Sequence, residues 1–122
     1  MERQVAIVTG GLRGLGRAMA FGLAREGHDV VAVGHIDTDV AEVEAVTGGA
    51  NFSGRVLALV ADLRRPADCD RVVALARERF GPPQILVNNA GLTFHDDRPG
   101  ALSPSRAAKI LASAGRHRAG GP

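Results

Sequence analysis

The chain has 122 residues, enough for about one domain of ordinary size, and 45% of them are apolar, enough to bury a core. It holds no tyrosine, no tryptophan, one lysine (Lys109) and one cysteine (Cys69), which excludes within these residues an intrachain disulfide, a multi-cysteine metal site and a tyrosine proton donor. Residues 1–97 carry all 13 acids against 10 basic residues, net −3, whereas residues 98–122 carry 5 basic residues and no acid, so the basic balance belongs to the tail and, with only four phenylalanines to stack on bases, no nucleic-acid partner is expected.

Residues 4–9 form a short apolar run with β-branched side chains, stopped by Gly10-Gly11, as expected of a buried parallel strand. From Leu15 the period changes. Leu15, Ala18, Met19, Gly22 and Leu23 recur at helical spacing, predicting a helix that buries this face and ends at Gly27. Residues 29–33 give a second strand, stopped by Gly34, and a weaker helical stretch follows over 37–46 with Ile36, Val40 and Val43 as its apolar side. Residues 55–61 read as a third strand. Pro66 suits a first helical position, and Asp68 and Asp70 complement the positive end of that helix's dipole. Cys69, Val72, Val73, Ala76 and Phe80 then line one face until Gly81-Pro82-Pro83, and residues 84–88 make a fourth strand. Cys69 lies on that apolar face, where a small core residue is expected rather than a nucleophile. The alternation β-α-β-α-β-α-β with short connections implies an α/β fold, a Rossmann-type parallel sheet with helices on both faces, over residues 1–94.

After Gly91 the pattern stops. Ala, Gly, Arg, Pro and Ser make up 20 of the 25 residues 98–122, a composition that buries too little apolar surface to offset ordering entropy. Residues 95–122 are therefore expected to be an unstructured tail. The abrupt loss of acids suggests a change of reading frame around Phe94–Asp97, or a truncation. His95, Asp96 and Asp97 lack the spacing of metal ligands. The chain opens without a basic–apolar–small leader, and no apolar run approaches the roughly 20 residues that span a membrane. A cytoplasmic location and no membrane partner are expected.

The first strand–helix junction reads Thr9-Gly10-Gly11-Leu12-Arg13-Gly14-Leu15-Gly16. Glycines at such a junction allow a tight turn and bring backbone N–H groups close to a pyrophosphate at a helix N-terminus; the alternative is a glycine-rich turn without a ligand. The strict G-x-G-x-x-G spacing fails, because Met19 stands at its third place. The T-G-x-x-x-G-x-G pattern instead resembles that of the short-chain dehydrogenase/reductase family. Asp62-Leu63 after the third strand and Asn88-Asn89-Ala90-Gly91 at the end of the fourth resemble two further motifs of that family, in the same order.

The resemblance, nearest to 3-oxoacyl-carrier-protein-reductase-like members, implies a nicotinamide dinucleotide as partner. On it, Thr9, Gly10, Gly14 and Gly16 would shape the pyrophosphate loop and Leu15 would offer its backbone. Asp62 would accept from the adenine amino group, with Leu63 close by, while Asn88, Ala90 and Gly91 would line the adenosine side and brace the sheet. In NAD-selective members an acid near the end of strand two binds the ribose 2′-OH. Gly34 stands there, followed by His35, and Arg13 in the glycine loop matches a basic position of NADP-using members; NADP(H) is favoured over NAD(H). The family's catalytic serine, tyrosine and lysine find no match. Ser105 and Lys109 imitate the tyrosine–lysine spacing but fall too early, so the family's hydride transfer between a dinucleotide and a carbonyl or alcohol is not expected of these residues alone. A six-stranded sheet in the order 3-2-1-4-5-6 would be represented by 3-2-1-4, leaving strand four as an edge open to self-association. The competing readings are a non-catalytic nucleotide-binding or interaction module, and a nonfunctional translation product.

Overall fold

A computed structural model describes residues 2–89. Seven elements alternate along them: β1 (Val5–Thr9), α1 (Gly14–Arg25), β2 (Asp29–Gly34), α2 (Asp37–Gly49), β3 (Val56–Val60), α3 (Pro66–Arg79) and β4 (Ile85–Asn88). The strands form one parallel sheet in the order β3-β2-β1-β4, with Val5 beside Asp29, Val30 beside Val56 and Ala6 beside Ile85. This is the expected Rossmann-type arrangement. Parallel neighbours cannot be joined by a tight turn, so each connection carries a helix back across the sheet.

Side-chain alternation divides the core between the two faces. Val5, Ile7, Val31 and Val33 point to one side, where Leu63, Cys69, Val72, Val73 and Ala76 cover them from α3 and the turn before it. Ala6, Val8, Val30 and Ala32 point to the other, under Ala20, Phe21 and Ala24 of α1 and Val43 of α2. The two central strands, β1 and β2, are buried at every position, as expected of parallel strands covered on both faces. β3 and β4 are the outer strands among the described residues and are half-buried throughout. The face predicted for α3 is the one that packs, with Phe80 against its end.

The face predicted for α1 is corrected. Its buried residues are Gly16, Ala20, Phe21 and Ala24, whereas Leu15 is 64% exposed, Ala18 is exposed, and Met19, Gly22 and Leu23 are only half-buried. Helical periodicity weighs large apolar side chains, and here the sheet-facing stripe is made of Gly16, Ala20 and Ala24, with Phe21 its one large member. Small residues let α1 sit close to the sheet, and the glycine loop that leads into it fixes its rotation. α2 runs three residues beyond its predicted end, to Gly49, and buries Asp39 as well as Val43.

At the N-terminal ends of the strands, Asp29 is buried and its carboxylate accepts from Arg3 Nη1 (3.0 Å), the Arg55 backbone N–H (3.0 Å), Arg55 Nε (3.2 Å) and Arg55 Nη2 (2.9 Å). Burial raises its pKa, but the Arg55 hydrogen bonds and the charges of Arg55 and Arg3 outweigh that and hold the carboxyl below its ordinary value. No helix among the described residues is long and apolar enough to cross a membrane. The expected tail over 95–122, the frame change near Phe94–Asp97, the loop residues His95, Asp96 and Asp97, and Ser105 and Lys109 lie outside the described residues.

Candidate functional site

Three loops and the end of β4 meet at the C-terminal ends of the parallel strands, where open α/β sheets present their ligand crevice. The loop after β1 carries two glycines that need their conformations, Gly10 at φ +64° and Gly14 at φ +57°. Gly16 is required for a different reason. A Cβ there would stand 1.9 Å from the Gly10 carbonyl oxygen and 2.8 Å from Asn89 Nδ2. A Cβ on Gly14 would meet nothing within 4 Å, so the loop is tight behind Gly16 and open in front of Gly14.

α1 begins at this loop with Arg13 as an extended N-cap residue that makes no side-chain capping bond, and its first turn has no acid. The helix therefore directs uncapped N–H groups and the positive end of its dipole at the crevice, while exposed Leu15 leaves the backbone approachable. A close backbone turn, open space and uncapped donors fit a dinucleotide pyrophosphate. Thr9 is buried beneath. Its hydroxyl oxygen lies 3.3 Å from the Val87 carbonyl and 3.1 Å from Asn88 Oδ1, joining the ends of β1 and β4.

The loop after β2 places Gly34 against Leu12, whose Cδ1 would come within 2.8 Å of a Cβ at position 34. Leu12 is itself buried, so a side chain at 34 would have to displace it. His35 follows, exposed. After β3, Asp62 is half-buried and engaged: Arg64 donates to it from its backbone N–H (3.1 Å), Nε (3.1 Å) and Nη2 (3.1 Å), with Arg65 Nε at 3.7 Å. The Arg64 side-chain hydrogen bonds hold its carboxyl below the ordinary range. Leu63 is 1% exposed and packs with Cys69 and Val72, so backbone rather than side chain faces the crevice there. Asn88 ends β4, and Asn89 Nδ2 donates to the Gly10 carbonyl (3.4 Å). Ala90 and Gly91 lie outside the described residues.

Three participants escaped the sequence reading. Leu12 fills the space at Gly34, and Asn89 braces the loop. Asp39, in the first turn of α2, takes Arg13 in a bidentate pair, Nε to Oδ2 at 2.7 Å and Nη2 to Oδ1 at 2.8 Å. Those hydrogen bonds hold the Asp39 carboxyl below its ordinary range despite burial, with Arg17 and His35 adding positive field, and they raise the Arg13 pKa. A carboxylate does stand at this part of the crevice, therefore, supplied by α2 and not by the end of β2. Leu12 and Asn89 stood in the glycine junction and the Asn88-Asn89-Ala90-Gly91 motif without a role of their own, and Asp39 left no signal.

A glycine turn feeding an uncapped helix, at the C-terminal edge of a β3-β2-β1-β4 parallel sheet, defines a Rossmann-type domain with a crevice suited to a nucleotide. Residues 4–110 match the short chain dehydrogenase family. The chain is 44% identical over 101 residues to 2-dehydro-3-deoxy-D-gluconate 5-dehydrogenase of Escherichia coli, an alignment covering 80% of this chain and 37% of that protein. It is 37% identical over 92 residues to the 3-oxoacyl-[acyl-carrier-protein] reductase FabG of Escherichia coli, covering 75% of this chain and 36% of that one. Its fold is similar to that of L-sorbose reductase from Gluconobacter frateurii, solved with NADPH and L-sorbose, with a TM-score of 0.73 and 30% identity over 96% of this chain and 49% of that chain. The protein belongs to the short-chain dehydrogenase/reductase family, and it spans about a third of the length of the curated relatives it matches.

Proposed function

We propose that these residues form the adenosine- and pyrophosphate-holding part of a cytoplasmic NADP(H)-dependent oxidoreductase, and that the 122-residue chain on its own binds cofactor without turning over. The observation that carries the reading is the loop at Gly10–Gly16, where backbone replaces side chain at the mouth of an uncapped helix. Gly10, Gly14 and Gly16 shape the loop, and the first-turn N–H groups of α1, including that of Leu15, hold the pyrophosphate. Asp62 takes the adenine amino group by sharing its carboxylate with Arg64, and Leu63 and Asn88 form the wall around it, with Thr9 fixing Asn88. Bound nicotinamide supplies the hydride donor or acceptor for a carbonyl or alcohol substrate.

NADP(H) is favoured over NAD(H) on two grounds. No acid stands at Gly34, where a side chain would have to displace Leu12, and the Arg13 guanidinium keeps one edge clear of Asp39 at the side where a 2′-phosphate would lie. Among similar structures, the L-sorbose reductase was solved with NADPH, while a relative from Azotobacter vinelandii is an L-rhamnose 1-dehydrogenase described as NAD(P)-dependent. The family's proton donor is a tyrosine, which the 122 residues do not contain.

Titration with NADPH, followed by its fluorescence, tests the reading. Binding is expected, with no oxidation when ketones are added; turnover would overturn the non-catalytic part, and absence of binding the whole. The same reading includes self-association through β4, whose outer edge is unpaired among the described residues. Light scattering over a dilution series is expected to show mass rising with concentration, and a constant monomer mass would remove this element.

A further inference from the structure

Among the acids around the crevice, Asp39 is the most deeply buried: its side chain is 5% exposed, against 22% for Asp62 and 66% for Glu42. Its partner differs sharply. The Arg13 side chain is 64% exposed, and it uses only Nε and Nη2 in the pair, so Nη1 makes no hydrogen bond among the described residues. A guanidinium anchored along one edge keeps donors for a second anion, and the fork geometry fixes where they point. The two residues come from opposite sides of the β1–β2 boundary, Arg13 at the N-cap of α1 and Asp39 in the first turn of α2. Arg17 and Glu42, one turn further along the same helices, approach to 3.8 Å and repeat the arrangement in solvent.

We propose that Asp39 is a specificity-determining positioning residue: it holds the Arg13 guanidinium at the crevice and offsets its charge, and so sets how strongly the chain separates a nucleotide bearing a 2′-phosphate from one that lacks it. The proposal rests on the reading of Arg13 as the 2′-phosphate partner. Position 34 is a glycine packed against Leu12, and the carboxylate that opposes a phosphate here comes from α2. An approaching phosphate meets a guanidinium already balanced by one negative charge and also feels that charge directly. A ribose hydroxyl is indifferent to most of it. Asp39 therefore narrows the preference for phosphate that Arg13 creates.

Calorimetric titration of the 122-residue chain with 2′,5′-ADP and with 5′-ADP tests this, with affinity as the readout. Asp39→Asn removes the charge and keeps the shape. It is expected to tighten 2′,5′-ADP roughly three- to tenfold relative to 5′-ADP, as for one charge lost several ångströms from a phosphate near solvent, and the gain should shrink in high salt. An unchanged or reduced ratio overturns the proposal. Asp39→Ser makes the same charge change if the asparagine variant fails to fold, which its circular-dichroism melt reports. Arg13→Ala separates the two levels. If it leaves the ratio unchanged, or if the unsubstituted chain binds neither nucleotide, the reading of Arg13 fails and the proposal with it. If Arg13→Ala lowers the ratio and neither Asp39 variant raises it, only the role of Asp39 fails.

Discussion

Gly16 and Gly14 stand two residues apart in one motif, yet their physical reasons for being glycine are opposite. A methyl group on Gly16 collides with backbone, which cannot rotate out of the way, so Gly16→Ala should cost about 3 kcal/mol or more and abolish nucleotide binding by pushing α1 off the loop. On Gly14 the methyl group finds open space and only the left-handed φ is strained. Gly14→Ala should therefore cost about 1–2 kcal/mol and weaken binding chiefly by occupying the approach to the loop. Chemical denaturation of both variants, with nucleotide titration of whichever folds, checks the order; equal losses would contradict it. The motif was legible in the sequence, but the reason for each glycine was not. The Arg13–Asp39 pair was not legible at all. Its members are 26 residues apart, and nothing in the local pattern of α2 distinguishes Asp39 from the exposed Asp37.

Asp29 makes a prediction in pH. Its carboxyl titrates lower in the folded chain than in the unfolded one, so the stability it contributes is fully present above the unfolded value and is lost as the pH falls through the folded one. Acid should therefore weaken the fold below about pH 4, and the pH dependence should flatten in Asp29→Asn. That variant should also lose about 1–3 kcal/mol at neutral pH, because the Arg55 backbone N–H and guanidinium lose their ionised acceptor. Denaturant melts at several pH values read both effects, and an unchanged acid limb in the variant would refute the assignment.

At the scale of the element, strands were more legible than helix faces. β1 and β2 announced themselves as continuous apolar runs, because burial on both faces leaves no polar alternation to interpret. α3 announced its face too, since Val72, Val73 and Phe80 are large and lie on it. α1 did not, because three of its four buried residues, Gly16, Ala20 and Ala24, are small and carry little periodic signal, with Phe21 the one large side chain on that face. The correction is testable. Ala24 is fully buried between α1 and the sheet, and Ala24→Leu should destabilise by about 1–3 kcal/mol through overpacking, whereas Leu15→Ala, at an exposed position, should change stability by less than about 0.5 kcal/mol. The reverse ranking in thermal melts would restore the predicted face.

At the scale of the whole molecule, alternation announced a parallel sheet covered by helices, and the order 3-2-1-4 was the one that the Rossmann-type resemblance implied. The relation between the crevice and the strand beside it was not announced. Thr9 reaches Val87 and Asn88, and Asn89 reaches the Gly10 carbonyl, so the glycine loop and the end of β4 share hydrogen bonds. Whatever steadies the loop then also steadies a strand that has, among the described residues, a single neighbour in the sheet. Free energy released by a nucleotide at one place should be felt at the other as slower opening, up to the limit set by ligand concentration over its dissociation constant. Amide hydrogen exchange would display it. Protection at residues 85–88 should rise on adding nucleotide, although none of their amides need touch the ligand, and β3, on the opposite edge, should respond less.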